Sequence, residues 1–197
     1  MMRFMEALIL AAGLGERMGG SKVRLLVGGT PLVLLHALRA REAGCTRVVA
    51  VVRREDEAWV SREMDTVVSD APNPAGSLAL GVRALRDPLV LFVPVDTLPA
   101  SPVTIAALVR ALGPEAPDLL AASPVHEGRG GHPVLLRSSV LDAYRTEGVA
   151  PPLRDVLRAL GPRRARVVVD DPLIAHDLNY PADVVALTRV TPSFFIP

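Results

Sequence analysis

Residues 7–22 read Ala7-Leu8-Ile9-Leu10-Ala11-Ala12-Gly13-Leu14-Gly15-Glu16-Arg17-Met18-Gly19-Gly20-Ser21-Lys22. The first six are apolar without a break, the pattern of a strand covered on both faces of a parallel sheet. Gly13, Gly15, Gly19 and Gly20 follow directly. In an open α/β sheet ligands sit beyond the C-terminal ends of the strands, so this loop stands where a ligand binds. Its glycines let backbone N–H groups come close to phosphate oxygens, and Arg17 and Lys22 add positive charge. Among 22 Lys and Arg residues Lys22 is the only lysine. A compact point charge, which the planar arginine fork does not supply, is thus placed in the glycine loop.

Working outward, further apolar runs at 48–52, 66–68, 89–93, 119–122, 134–136 and 166–169 read as strands, with a short one at 175–178. Helical stretches at 32–43, 53–63, 76–85, 102–112, 138–146, 153–160 and 181–188 alternate with them, and 125–131 reads as a mobile loop. This alternation gives an α/β fold with a mainly parallel central sheet and helices on both faces. Residues 1–190 are expected to form one domain, with residues 191–197 a tail. That tail carries Phe194 and Phe195, and either docks on the body or mediates self-association.

The chain has 197 residues, half of them hydrophobic, and a formal net charge of +1. Length and composition suit one globular domain, and the near-zero charge with 4% aromatics argues against a nucleic-acid surface. Cys45 alone forms no internal disulfide and reads as a small buried hydrophobe. The apolar run near the N-terminus is too short to span a membrane and fits a signal peptide poorly. We expect a soluble cytoplasmic protein, a monomer or weak homo-oligomer.

Walker A chemistry is excluded because Ser21 precedes Lys22 rather than following it. A dinucleotide loop remains open through Gly13, Gly15 and Gly19, although Gly28-Gly29-Thr30-Pro31 delays the helix such a loop opens at once. A nucleotidyltransferase loop is the third reading. In Asn73-Pro74-Ala75-Gly76-Ser77-Leu78 a helix N-terminus offers free N–H donors to an oxygen-bearing ligand; the alternative is a plain cap by Ser77. Asp96 ends a very apolar strand where ligands bind, and its carboxylate suits Mg²⁺, a hard cation that takes one or two carboxylates plus substrate phosphates. The alternative is a turn-capping Asp. His36, His126 and His176 show no metal-ligand spacing.

The stretch Leu10-Ala11-Ala12-Gly13-Leu14-Gly15-Glu16-Arg17-Met18-Gly19-Gly20-Ser21-Lys22 resembles the LAAGxGxRMGxxK signature of NTP-transferase domains, nearest in flavour to the molybdopterin nucleotidyltransferases. Leu25 to Leu32 is similar to that family's next segment, with Leu26 where a proline is usual. Asp96-Thr97-Leu98-Pro99 resembles its DMP-like metal motif with the proline displaced. Gly128-Arg129-Gly130-Gly131-His132-Pro133-Val134 resembles a GxxGHPV segment of cytidylyltransferase-like members, and Asp177-Leu178-Asn179-Tyr180-Pro181-Ala182-Asp183 a late metal-side segment.

The resemblance implies a Rossmann-related GT-A-like fold. Leu10, Ala11, Ala12, Gly13, Gly15, Lys22, Asn73, Gly76 and Ser77 would bind the nucleotide, and Lys22, Arg17 and Asp96 would act in catalysis. Asp96 and Asn179 would hold Mg²⁺. Arg129, Gly131 and His132 would clasp a phosphorylated acceptor such as molybdopterin, unless that segment is a hairpin in which His132 only packs. Asp183 reads as helix-dipole compensation. The implied reaction is transfer of NMP from an NTP to that acceptor with release of pyrophosphate. CTP comes first and GTP is the close alternative; a sugar-1-phosphate acceptor is also open. An NADP-binding Rossmann domain and a nucleotide-binding regulator without turnover are the readings of another class.

Overall fold

A computed structural model describes residues 4–146 and 148–197. Residues 1–3, part of the stretch read above for a leader, and residue 147 lie outside it. The strands are β1 (Met5–Leu10), β2 (Leu26–Val27), β3 (Thr30–Pro31), β4 (Arg47–Val52), β5 (Asp65–Val68), β6 (Leu89–Pro94), β7 (Ala121–His126), β8 (Arg129–Gly130), β9 (Val134–Arg137) and β10 (Arg164–Val168). The helices are α1 (Leu32–Glu42), α2 (Arg54–Val60), α3 (Pro74–Arg83), α4 (Pro102–Ala111), α5 (Leu153–Ala159) and α6 (Pro181–Thr188).

The main sheet runs β10-β7-β9-β6-β1-β4-β5, with β8 paired to β7. β6, β1, β4 and β5 are mutually parallel, as are β10 and β7. β9 lies antiparallel between the two groups. The continuous apolar runs follow from burial on both faces. In β1, Ala7 and Ile9 point into one core with α1 and α4, while Leu8 points into a second core with α3 and Tyr144. α3 comes very close to the sheet at Gly81, where an added Cβ would meet Val51 Cγ2 at 2.5 Å and Leu8 Cδ1 at 2.8 Å.

Four expectations are corrected. The stretch 125–131 is a hairpin rather than a loop: Val125 and His126 pair with Gly130 and Arg129 around a turn in which Glu127 and Gly128 both have positive φ. Residues 138–146 form a 3₁₀ turn over Ser138–Tyr144 instead of an α-helix. The short strand at 175–178 is absent; a 3₁₀ turn spans Pro172–Ala175 and a single bridge joins Thr97 to Asp177. α3 is capped by Asn73, whose Oδ1 accepts the Gly76 N–H at 2.9 Å, and not by Ser77. The tail docks on the body, with Phe194 and Phe195 packed against the larger core.

Among the described residues no helix is long and apolar enough to cross a membrane. Cys45 is buried, which pushes its thiol up to about 12.

Candidate active site

The loop that leaves β1 folds back on itself. Gly15 has φ 66°, and a Cβ there would run into the carbonyl oxygen of Gly20, so no other residue fits. The Gly15 carbonyl accepts the Met18 and Gly20 N–H groups at 2.9 and 3.4 Å. Among the described residues the amides of Ala12, Gly13, Leu14 and Gly15 donate to no backbone acceptor. They form the rim of a cleft of about 700 Å³ at the C-terminal ends of β1, β4 and β6.

Lys22 begins the next short turn and reaches across the floor of the cleft. Its Nζ lies 3.3 Å from Asp96 Oδ2 and 3.2 Å from Asn179 Oδ1. Its side chain is only 14% exposed, against 36% for Asp96. The late segment is fastened to the same strand end: Leu178 N–H donates to the Asp96 carbonyl at 2.6 Å. Asp183 fixes Asn179 from the other side, its Oδ2 accepting the N–H groups of Asn179 and Tyr180 at 2.9 and 2.7 Å. Asp183, read from the sequence as helix-dipole compensation, thus also takes up two backbone N–H groups at the start of α6.

The cleft brings together Leu10, Ala12, Gly13, Gly15, Arg17, Lys22, Asn73, Ser77, Asp96 and Asn179, all of them singled out from the sequence. Others are not brought to it. Ala11 is buried in the core, with its N–H bonded to the Val51 carbonyl at 2.8 Å. The Gly76 N–H is used by the Asn73 cap, and the Ser77 hydroxyl is paired to Ser69 Oγ at 2.8 Å, so this helix start offers fewer free donors than the sequence promised.

Arg129 is exposed on β8 and donates to the Ala175 carbonyl at 3.3 Å. Gly131 passes so close to the Ile174 carbonyl that a Cβ would overlap it. His132 packs edge-on against Phe92, with ring centroids 6.0 Å apart. Its Nδ1 is buried without a hydrogen bond, and burial holds the ring down to about 4. The Asp96 charge opposes that shift.

Three residues at the site were given no part in nucleotide transfer by the sequence; Arg53 was weighed there only as a grip on a 2′-phosphate in the dinucleotide alternative. Arg53, directly after β4, and Asp70, just after β5, both line the cleft on the side of Asn73. Their place at strand ends was the available signal. Asp177 lies beside Asp96, and burial followed by the Asp96 charge pushes its carboxyl up. Its signal was the alternation with Asn179 in an extended stretch.

The oxygens that converge on Lys22 Nζ are one carboxylate and one amide, a hard donor pair already holding a cationic group. They fit a magnesium-type ion completed by substrate phosphates. No cluster of three or more His, Cys, Asp or Glu capable of holding a metal occurs among the described residues. The protein thus offers part of a coordination shell and no closed cage.

Residues 7–167 match the MobA-like NTP transferase domain. The molybdenum cofactor guanylyltransferase of Burkholderia ambifaria (strain MC40-6) is 34% identical over 149 residues, covering 68% of this chain and 71% of its own. The molybdenum cofactor guanylyltransferase of Pseudomonas aeruginosa PAO1 is 29% identical over 181 residues, 88% of this chain and 89% of its own. The solved structure of Rv0371c from Mycobacterium tuberculosis H37Rv shares the fold, with a TM-score of 0.77 at 20% identity over 95% of this chain and 100% of that one. With a glycine-loop cleft at the strand ends and this family matching across most of its length, the chain belongs to the MobA-like NTP transferase family of nucleotidyltransferases.

Proposed function

We propose that this protein moves GMP from GTP onto the terminal phosphate of molybdopterin. The observation that carries the reading is the meeting of Lys22, Asp96 and Asn179 beneath a rim of free loop amides. The sequence alone put CTP first. The two relatives above are named for guanylyl transfer, which moves the preference to GTP. The exposed Asp70 carboxylate in the cleft supports the same choice, because the pairing edge of guanine offers adjacent N–H donors while that of cytosine offers a single amino group.

In this reading the loop amides and Arg17 hold the triphosphate, and Lys22 swings from Asp96 to its oxygens. A phosphate oxygen of the acceptor attacks the α-phosphorus in line. The new P–O bond forms as the bond to the α,β-bridging oxygen breaks, and pyrophosphate leaves with the electron pair. Lys22 and the amides stabilise the charge that builds on the departing pyrophosphate. The acceptor phosphate is already ionised near neutral pH, so no strong general base is required. Mg²⁺ held by Asp96 and Asn179 would neutralise charge on the phosphate oxygens. Arg129 and the neighbouring glycines would take the acceptor, with His132 packed on Phe92.

The test is pyrophosphate release by the purified protein given molybdopterin, Mg²⁺ and either GTP or CTP. GTP-dependent release is expected. Release with CTP alone would sink the guanylyl assignment, and release with neither would sink the transferase reading.

A further inference from the structure

Residues 193–195 run antiparallel to residues 24–26, just downstream of Lys22. Leu26 N–H donates to the Ser193 carbonyl and Phe195 N–H to the Arg24 carbonyl, each at 2.8 Å, with Leu25 and Phe194 bridged between them. The Phe194 ring lies on the backbone of Gly20; a Cβ added there would stand 2.9 Å from its Cε1. Phe195 packs on Trp59 with centroids 5.1 Å apart and rings tilted by 55°.

Trp59 continues the contact inward. Its Nε1–H donates to Asp56 Oδ1 at 3.0 Å. The fully buried Asp56 carboxylate also accepts from Ser21 Oγ at 3.1 Å and Arg24 Nε at 2.6 Å. The residue before Lys22 and the residue two after it are therefore both tied to one carboxylate, whose third partner carries the tail. A three-residue turn next to four glycines has little rigidity of its own. Here it is gripped by α2 on one side and by residues 193–195 on the other.

We propose that residues 193–195 are a strap that positions Lys22 for the triphosphate, so that Phe194 and Phe195 set nucleotide affinity without touching the nucleotide. The inference rests on the reading of Lys22 given above. Pre-ordering a binding group removes an entropy cost from binding, and small displacements of such a group weaken it steeply.

The experiment compares GTP and GMP binding by calorimetry, with Mg²⁺, for the full chain and for Phe194→Ala, Phe195→Ala, Phe194→Leu and Gly20→Ala. GTP should bind about tenfold more weakly to both Phe→Ala variants, with GMP affinity unchanged and Phe194→Leu recovering most of the loss. Gly20→Ala, which lifts the ring, should lose GTP affinity too. Combining it with Phe194→Ala should then cost no more than Phe194→Ala alone. Unchanged GTP affinity in the Phe→Ala variants of a protein whose wild type binds GTP overturns the strap alone. Equal losses for GTP and GMP overturn it as well, since general loosening has no preference for the triphosphate. A wild type that binds no GTP removes the nucleotide reading and the strap with it.

Discussion

Lys22 Nζ and Asp96 Oδ2, contributed by residues 74 positions apart, stand 3.3 Å from each other at the end of the central strand. Asn179 Oδ1 completes the contact at 3.2 Å. The lone lysine thus sits on the oxygens that suit a divalent cation, so in the proposed reaction a bound metal would compete with Lys22 for Asp96.

That competition has a direction. Lys22→Ala should weaken GTP binding while tightening Mn²⁺ binding in the absence of nucleotide by roughly fivefold, the ~1 kcal/mol of one partly exposed ion pair. Electron paramagnetic resonance of free Mn²⁺ reads the effect, and looser Mn²⁺ binding would contradict it. Asp96→Asn should lower turnover by about 10²-fold or more, as expected if the charge proposed to hold the metal is lost. Lys22→Arg should restore little, because a planar fork replaces a point charge in a nearly closed slot.

Asp56 is a structural anchor. Its carboxylate is wholly buried and accepts from Ser21, Arg24 and Trp59. Asp56→Ala leaves the Trp59 N–H without an acceptor and Arg24 without its ion pair. Arg24 keeps some solvent contact, so a loss of about 2–4 kcal/mol in urea unfolding is expected. A change below half a kcal/mol would show that the network is relaxed at little cost.

Gly81 tests the packing of α3 on the sheet. Ala would put a methyl group within contact-breaking distance of Val51 and Leu8. Better helix propensity favours Ala, but overpacking dominates at a site with no space, so Gly81→Ala should destabilise by about 1–3 kcal/mol. A raised melting temperature would mean that the helix shifts outward freely.

Acid should destabilise the fold through its buried histidines. His36 is buried, with Nε2 2.8 Å from the Thr97 carbonyl, and burial holds its ring down to about 4 from the ordinary 6.5. His132 is held down to about 4 for the same reason. Between those values the unfolded chain takes up protons that the folded chain refuses, so stability is full above pH 6.5 and is lost as pH falls towards 4. Urea midpoints at pH 7 and pH 5 check this. The drop between them should shrink in His36→Gln, whose amide can still donate to Thr97.

The central sheet was legible because its strands are buried on both faces, and two-sided burial leaves unbroken apolar runs at 48–52 and 89–93 that periodicity detects. The helix at Pro181–Thr188 was legible in full, bounded by a proline at its first turn. The hairpin at 125–131 was legible only as an alternative to a loop. Its two-residue pairing depends on β7 being present to receive it, and a short glycine-rich segment carries no periodicity of its own.

At the site, local chemistry was readable wherever a residue type is costly without a purpose: glycines after β1, one lysine among arginines, a carboxylate ending an apolar strand. Sequence by itself determined the fold class, the glycine loop and the identity of Lys22 and Asp96 as candidates, because strand burial and backbone freedom leave local marks. Only the tertiary structure decided that Lys22 rests on Asp96 and Asn179, that Asp70 and Arg53 face the same cleft, and that Phe194 lies against Gly20. Those relationships join residues of different elements, and their geometry comes from how the strand ends and the tail converge, which no local pattern records.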